Sequence, residues 1–141
     1  MDSKSTVVWQ GSVKEGQGKI TTESGVLKES VYTYGTRFED NPGTNPEELI
    51  AAAHAACFTM ATTDFMGESG VTPEQIKTVA TVTLSTEGNE PEVTKIHLDV
   101  TAKLPNGQKE AFEEAAAKAK ENCPISRLLN ADISMDTHVE S

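Results

Sequence analysis

Thr44-Asn45-Pro46-Glu47-Glu48-Leu49-Ile50-Ala51-Ala52-Ala53-His54-Ala55-Ala56-Cys57-Phe58 carries the clearest structural instruction in this chain. Asparagine caps helices well, proline suits the first helical position, and two glutamates favour the positive end of the helix dipole. The pattern predicts a helix from Pro46 to about Met66, stopped by Gly67 and Gly70. Small side chains on both sides of Cys57 let another element approach the backbone closely. The weakly polar stretch Leu49 to Phe65 is interrupted by His54, several threonines and Asp64. It therefore falls short of a membrane span and reads as a buried helix.

Upstream of this helix, β-prone runs at Thr6–Trp9, Gly18–Thr22 and Val26–Tyr34 predict a small antiparallel meander, closed by the turn signal Asn41-Pro42-Gly43. Downstream, Thr72–Ile76 reads as a turn or a single helical turn. Val79–Glu87 and Val93–Leu104 alternate apolar and polar residues around Gly88-Asn89-Glu90-Pro91, which predicts a second hairpin. Leu104-Pro105-Asn106-Gly107 closes that hairpin. Gln108–Asn122, rich in Ala, Glu and Lys, predicts an amphipathic helix ending at Cys123-Pro124. Ile125–Asn130 is compatible with a short further helix, and Ile133–Val139 with a final strand. Strands and helices are segregated rather than alternating, so the expected class is α+β with mostly antiparallel pairing in one domain spanning 1–141.

Composition narrows the partners. The 141 residues include 22 acidic and 12 basic side chains, a formal charge of −10 that repels nucleic-acid backbones and anionic membrane surfaces. No basic cluster offsets this, and a neutral or weakly polar small molecule fits better. The segment Met1–Thr6 leads into Val7-Val8-Trp9 rather than the apolar core of a secretory signal, so a cytoplasmic location is expected. In that compartment two cysteines do not form a structural framework; their value lies in reactivity, metal binding or packing. Walker, Gly-x-Gly-x-x-Gly and His-Glu-x-x-His patterns are absent, and no cofactor is expected.

Cys57, in an alanine-rich helix, reads by itself more readily as a small buried hydrophobe than as a nucleophile. Cys123 precedes Pro124, so it is expected to cap a helix N-terminus, where N–H groups and the dipole favour a thiolate. Arg37 stands between Tyr34 and Phe38 and either points inward or forms a surface ion pair with Glu39 or Asp40. His54 lies three residues before Cys57 on the same helical face, which allows a Cys–His pair or a metal ligand set. Mid-helix placement argues against the first, and an incomplete ligand set against the second.

The segment Thr44–Phe58, with Asn122-Cys123-Pro124-Ile125-Ser126, Thr22-Glu23-Ser24-Gly25-Val26-Leu27 and Thr36-Arg37-Phe38-Glu39, strongly resembles the osmotically inducible branch of the OsmC/Ohr family. The resemblance implies an intertwined α+β homodimer, with antiparallel sheets around a long buried central helix and an active site at each side of the subunit interface. It also implies a peroxidatic Cys57, a resolving Cys123, and a polar pair, Arg37 and Glu47, that activates the first thiol. The implied reaction reduces an organic hydroperoxide to an alcohol through a Cys57 sulfenic acid and a Cys57–Cys123 disulfide. An external dithiol, in this family a lipoylated protein, would reset it. Glu47 precedes Cys57 by ten residues, roughly 15 Å along a straight helix, which is too far for both to serve one site directly. Glu47 is therefore expected to act across the dimer. The competing readings are a non-catalytic ligand-binding or interaction domain with packed cysteines, and a metal protein using Cys57, Cys123 and His54.

Overall fold

A computed structural model describes residues 1–105 and 107–140. The chain divides into two compact units, Met1–Leu49 and Ile50–Ser141.

In the first unit, β1 (Ser5–Gln10), β2 (Gln17–Thr22) and β3 (Ser30–Tyr32) form an antiparallel sheet in the order β1-β2-β3. Trp9, Gly18 and Tyr32 lie in one cross-strand row. The two rings meet edge to face at 5.6 Å. A Cβ at Gly18 would come within 2.3 Å of the Tyr32 ring and 2.8 Å of the Trp9 ring, so glycine is what lets the aromatics close over the middle strand.

The predicted strand Val26–Tyr34 is shorter in the structure. Thr22 folds back on Leu27, exchanging backbone and side-chain hydrogen bonds with it, and Glu29 takes a positive φ of 47°. Only Ser30–Tyr32 pairs with β2. The chain then turns into a helix that sequence reading missed, α1 (Tyr34–Phe38). A reciprocal capping box nucleates it: Thr33 Oγ1 accepts from the Thr36 N–H, and Thr36 Oγ1 bonds to the Thr33 N–H.

The predicted central helix is α2 (Pro46–Glu68), and it starts as expected: Asn45 Oδ1 accepts the Glu48 N–H at 2.8 Å, with Pro46 at the first helical position. Its 23 residues and a mean hydropathy of 1.2 over 18 of them give it the length and composition of a membrane-crossing helix, which the sequence reading had denied it. Phe58 and Met66 nevertheless sit fully buried in the core of the second unit, as core residues of a folded domain do.

That core rests on a sheet of order β4-β5-β6, formed by Gln75–Ser85, Glu92–Lys103 and Asp132–Glu140. The expected hairpin is β4-β5, antiparallel with one irregularity between Thr83 and Leu84; β4 begins at Gln75, within the segment expected to be a turn. Pairing is mostly antiparallel, as expected, with one exception: β6 runs parallel to β5. Two helices, α3 (Lys109–Asn122) and α4 (Pro124–Leu128), separate the two strands, and such a crossover returns the chain in the same direction. Ile96, Leu98, Val100 and Ala102 line the inner face of β5, and Phe112, Ala115, Ala116 and Ala119 recur at helical spacing on α3. With Phe58 and Met66 they form one buried cluster.

A second correction concerns α2. The expected buried helix hides only one stripe, including His54, Phe58, Thr62 and Met66. Ala52, Ala53, Ala56, Met60 and Thr63 remain exposed, because one sheet covers only one side of a cylinder. Phe112 is fully enclosed, and Phe112→Ala is expected to lower unfolding stability by about 3–5 kcal/mol through lost burial and an unfilled cavity. A urea titration with the midpoint moved down and the slope kept would show this.

Candidate functional site

The first unit supplies a cation held by a buried anion. Helix α1 carries Arg37, and the first turn of α2 carries Glu47, 7% exposed. Arg37 Nη2 donates to Glu47 Oε1 at 2.7 Å, and Nε donates to the same oxygen at 3.1 Å. This partner is not Glu39 or Asp40, the neighbours suggested by charge along the chain. The hydrogen bond to Glu47, partly opposed by burial, keeps the guanidinium charge above its already high affinity for protons. Phe38 lies under the guanidinium at 5.1 Å. Trp9, Val13, Tyr32, Tyr34, Arg37 and Phe38 line a largely apolar pocket of about 270 Å³. The cation thus stands at the edge of an aromatic cleft.

The second unit supplies the sulfurs. Cys57 and Cys123 are both free thiols, Cys57 partly exposed and Cys123 1% exposed. Cys123 is the N-cap of α4 as expected, its Sγ accepting the Ser126 N–H at 3.4 Å, with Pro124 following it. Burial pushes the Cys57 thiol above its ordinary pKa; the backbone N–H of Ile125 pulls it down, and the adjacent Cys123 sulfur pushes it up again. None of these influences is a cation.

His54 turns towards Ser126. Its Nε2 lies 2.7 Å from Ser126 Oγ, which in turn lies 3.1 Å from Cys123 Sγ. All three residues are buried. The His54 Nδ1 is enclosed without a hydrogen-bond partner among the described residues. No group of three or more His, Cys, Asp or Glu side chains with metal-holding geometry occurs among the described residues. Ser126 is the residue that sequence reading passed over. The available signal was its position three residues after a helix-capping cysteine, where an N3 side chain and N–H turn back towards the cap.

The structure therefore brings together Arg37 with Glu47, and Cys57 with Cys123, one pair in each unit. A family model described as OsmC-like protein matches residues 39–138. The chain belongs to the OsmC family. It is 45% identical over 133 residues to Peroxiredoxin OsmC of Escherichia coli strain K12, covering 94% of this chain and 93% of that protein. It is 34% identical over 99 residues to Organic hydroperoxide resistance protein-like 1 of Staphylococcus saprophyticus, 69% of each. Among solved structures, an OsmC-like protein of unknown function from Vibrio cholerae superposes with a TM-score of 0.77 at 16% identity, covering 97% of this chain and 99% of that one. An organic hydroperoxide resistance protein OsmC from Legionella pneumophila gives 0.66 at 23%, covering 98% and 97%. These structural likenesses establish the α+β OsmC/Ohr-like fold, with its two small sheets and helices.

Burial holds the His54 pKa below its ordinary value of 6.5. The unfolded chain consequently takes up the proton first as pH falls. His54 costs nothing above pH 6.5, and stability is lost below that value until the folded-state pKa is passed. His54→Gln cannot titrate. The stability difference between wild type and His54→Gln, measured by urea denaturation, is expected to be constant above pH 6.5 and to shift in favour of the variant below it.

Proposed function

We propose that this protein is a cytoplasmic thiol peroxidase that reduces organic hydroperoxides to alcohols. The observation that carries this reading is the juxtaposition of a partly exposed Cys57 with the enclosed Cys123 at the start of α4. The Cys57 thiolate attacks the distal oxygen of ROOH, the O–O bond breaks, and the alkoxide leaves as ROH after taking a proton, giving a Cys57 sulfenic acid. Cys123 then displaces the hydroxyl as water and closes a disulfide. An external dithiol, such as a lipoylated protein, reduces that disulfide. The names of the Escherichia coli and Staphylococcus relatives support peroxide chemistry. An aromatic cleft beside Arg37 suits an alkyl group better than hydrogen peroxide does.

Activation of Cys57 requires a cation, and in this reading Arg37 of a second copy supplies it. The uncovered face of α2, with Ala52, Ala53, Ala56 and a 76% exposed Met60, favours close packing against the same helix of a partner in a homodimer. Glu47 then steadies its own Arg37 beside the partner's thiol.

One equivalent of cumene hydroperoxide added to reduced protein is expected to consume both thiols and lower the intact mass by about two hydrogens. Cys57→Ser should leave the remaining thiol untouched. Cys123→Ser should stop after gaining a single oxygen. Unreacted wild-type thiols would instead favour a binding or interaction domain with packed cysteines.

Site sharing has its own test. Mixing inactive Arg37→Ala and Cys57→Ser chains under conditions that exchange subunits should restore up to about a quarter of wild-type turnover, because half the dimers then carry one intact site of two. No recovery despite exchange would place Arg37 and Cys57 of one site on one chain.

A further inference from the structure

His54 is a fully buried ionisable residue that the proposed chemistry leaves unused. Helix α2 contributes it, and its contact is Ser126, 72 residues away on α4. A buried polar side chain costs stability unless it is hydrogen-bonded, and His54 makes its bond towards Cys123 through Ser126.

The direction of that bond follows from the other ring nitrogen. Nδ1 is enclosed and unpartnered among the described residues. A hydrogen on Nδ1 would be an orphaned buried donor, a rare arrangement. The hydrogen of the neutral ring therefore belongs on Nε2, which donates to Ser126 Oγ at 2.7 Å. Having accepted that bond, the Ser126 hydroxyl has its own hydrogen free for Cys123 Sγ at 3.1 Å, and the Ser126 N–H already points to the same sulfur at 3.4 Å. Two donors thus converge on Cys123.

We propose that His54 and Ser126 are positioning residues for disulfide formation: a one-way donor chain, His54 Nε2–H to Ser126 O–H to Cys123 Sγ, that fixes the sulfur's direction and holds its negative charge for attack on oxidised Cys57. This rests on the peroxidase reading above. The step is Cys57–SOH plus Cys123–SH giving Cys57–S–S–Cys123 plus water. The S–S bond forms as the S–O bond breaks; the sulfenic sulfur is reduced, the thiol sulfur is oxidised, and the Cys123 proton leaves with the hydroxyl. The imidazole is not the proton's acceptor. Burial without a counter-charge opposes an imidazolium, so the ring serves as a donor.

The test separates the two steps in a single turnover. Reduced wild type, Ser126→Ala, Ser126→Thr, His54→Leu and His54→Gln are each mixed rapidly with one equivalent of cumene hydroperoxide. Sulfenic acid is trapped with a dimedone reagent, and the disulfide is read by intact mass. In Ser126→Ala and His54→Leu, disulfide formation is expected to slow about tenfold or more, while the Cys57 thiol is consumed at the wild-type rate. Ser126→Thr keeps a hydroxyl and His54→Gln places an amide N–H where Nε2–H stood, so both are expected to stay within about threefold of wild type. Unslowed disulfide formation in Ser126→Ala would overturn the chain. Failure of His54→Gln to exceed His54→Leu would overturn its donor direction and make the ring a base. Wild-type protein that keeps both thiols would bring down the peroxidase reading, a result distinct from a wild type that closes its disulfide alongside indifferent variants.

Discussion

The stripe along which α2 seats on its sheet governs the placement of the sulfur chemistry. Phe58, Thr62 and Met66 are buried along it, and the same stripe carries His54 inwards to Ser126. A helix as apolar as α2 has no strongly polar side to offer water, yet its own unit covers only one of its faces. The hydrophobic effect therefore acts on the chain twice: once in folding, and again on the alanine-rich face left over. In the proposed dimer, the second burial is what delivers a guanidinium to a thiol.

The electrostatics divide in the same way. Cys57 is held above its ordinary pKa mainly by burial, with the Ile125 N–H opposing it. Arg37 is fully charged, but Glu47 already engages it through a buried carboxylate. Burying Glu47 without Arg37 would leave an uncompensated charge, so the pair stands or falls together. The pair gives the cation a fixed direction while leaving its outward side, beside Phe38 and the aromatic cleft, free for a further anion.

Local chemistry made much of the fold legible. The start of α2 was readable because Asn45, Pro46 and Glu48 each act within one turn, and the Cys123-Pro124 cap likewise. The β4-β5 hairpin and α3 followed from periodicity. The parallel return of β6 was not readable, since pairing across a two-helix crossover is decided by packing and not by the strand's own residues. Helix α1 escaped because five residues carry no period, and its capping box begins inside a β-prone run. At the candidate site, Arg37 and Glu47 are ten residues apart, and charge along the chain favoured nearer acids. The His54–Ser126 bond spans 72 residues, and a serine in a five-residue helix has no distinguishing pattern.

Access to the two sulfurs gives the proposed order of oxidation its physical basis. Cys57 is partly exposed, whereas Cys123 is almost wholly enclosed and receives two donors from Ser126. Of the two sulfurs, a peroxide arriving from solvent therefore meets Cys57 first. Ser126 directs its hydroxyl and its backbone N–H at the Cys123 sulfur without opening it to solvent. In the proposed reaction, Cys123 is in this way positioned towards the electrophile that forms beside it, the oxidised Cys57, and shielded from the oxidant that created it.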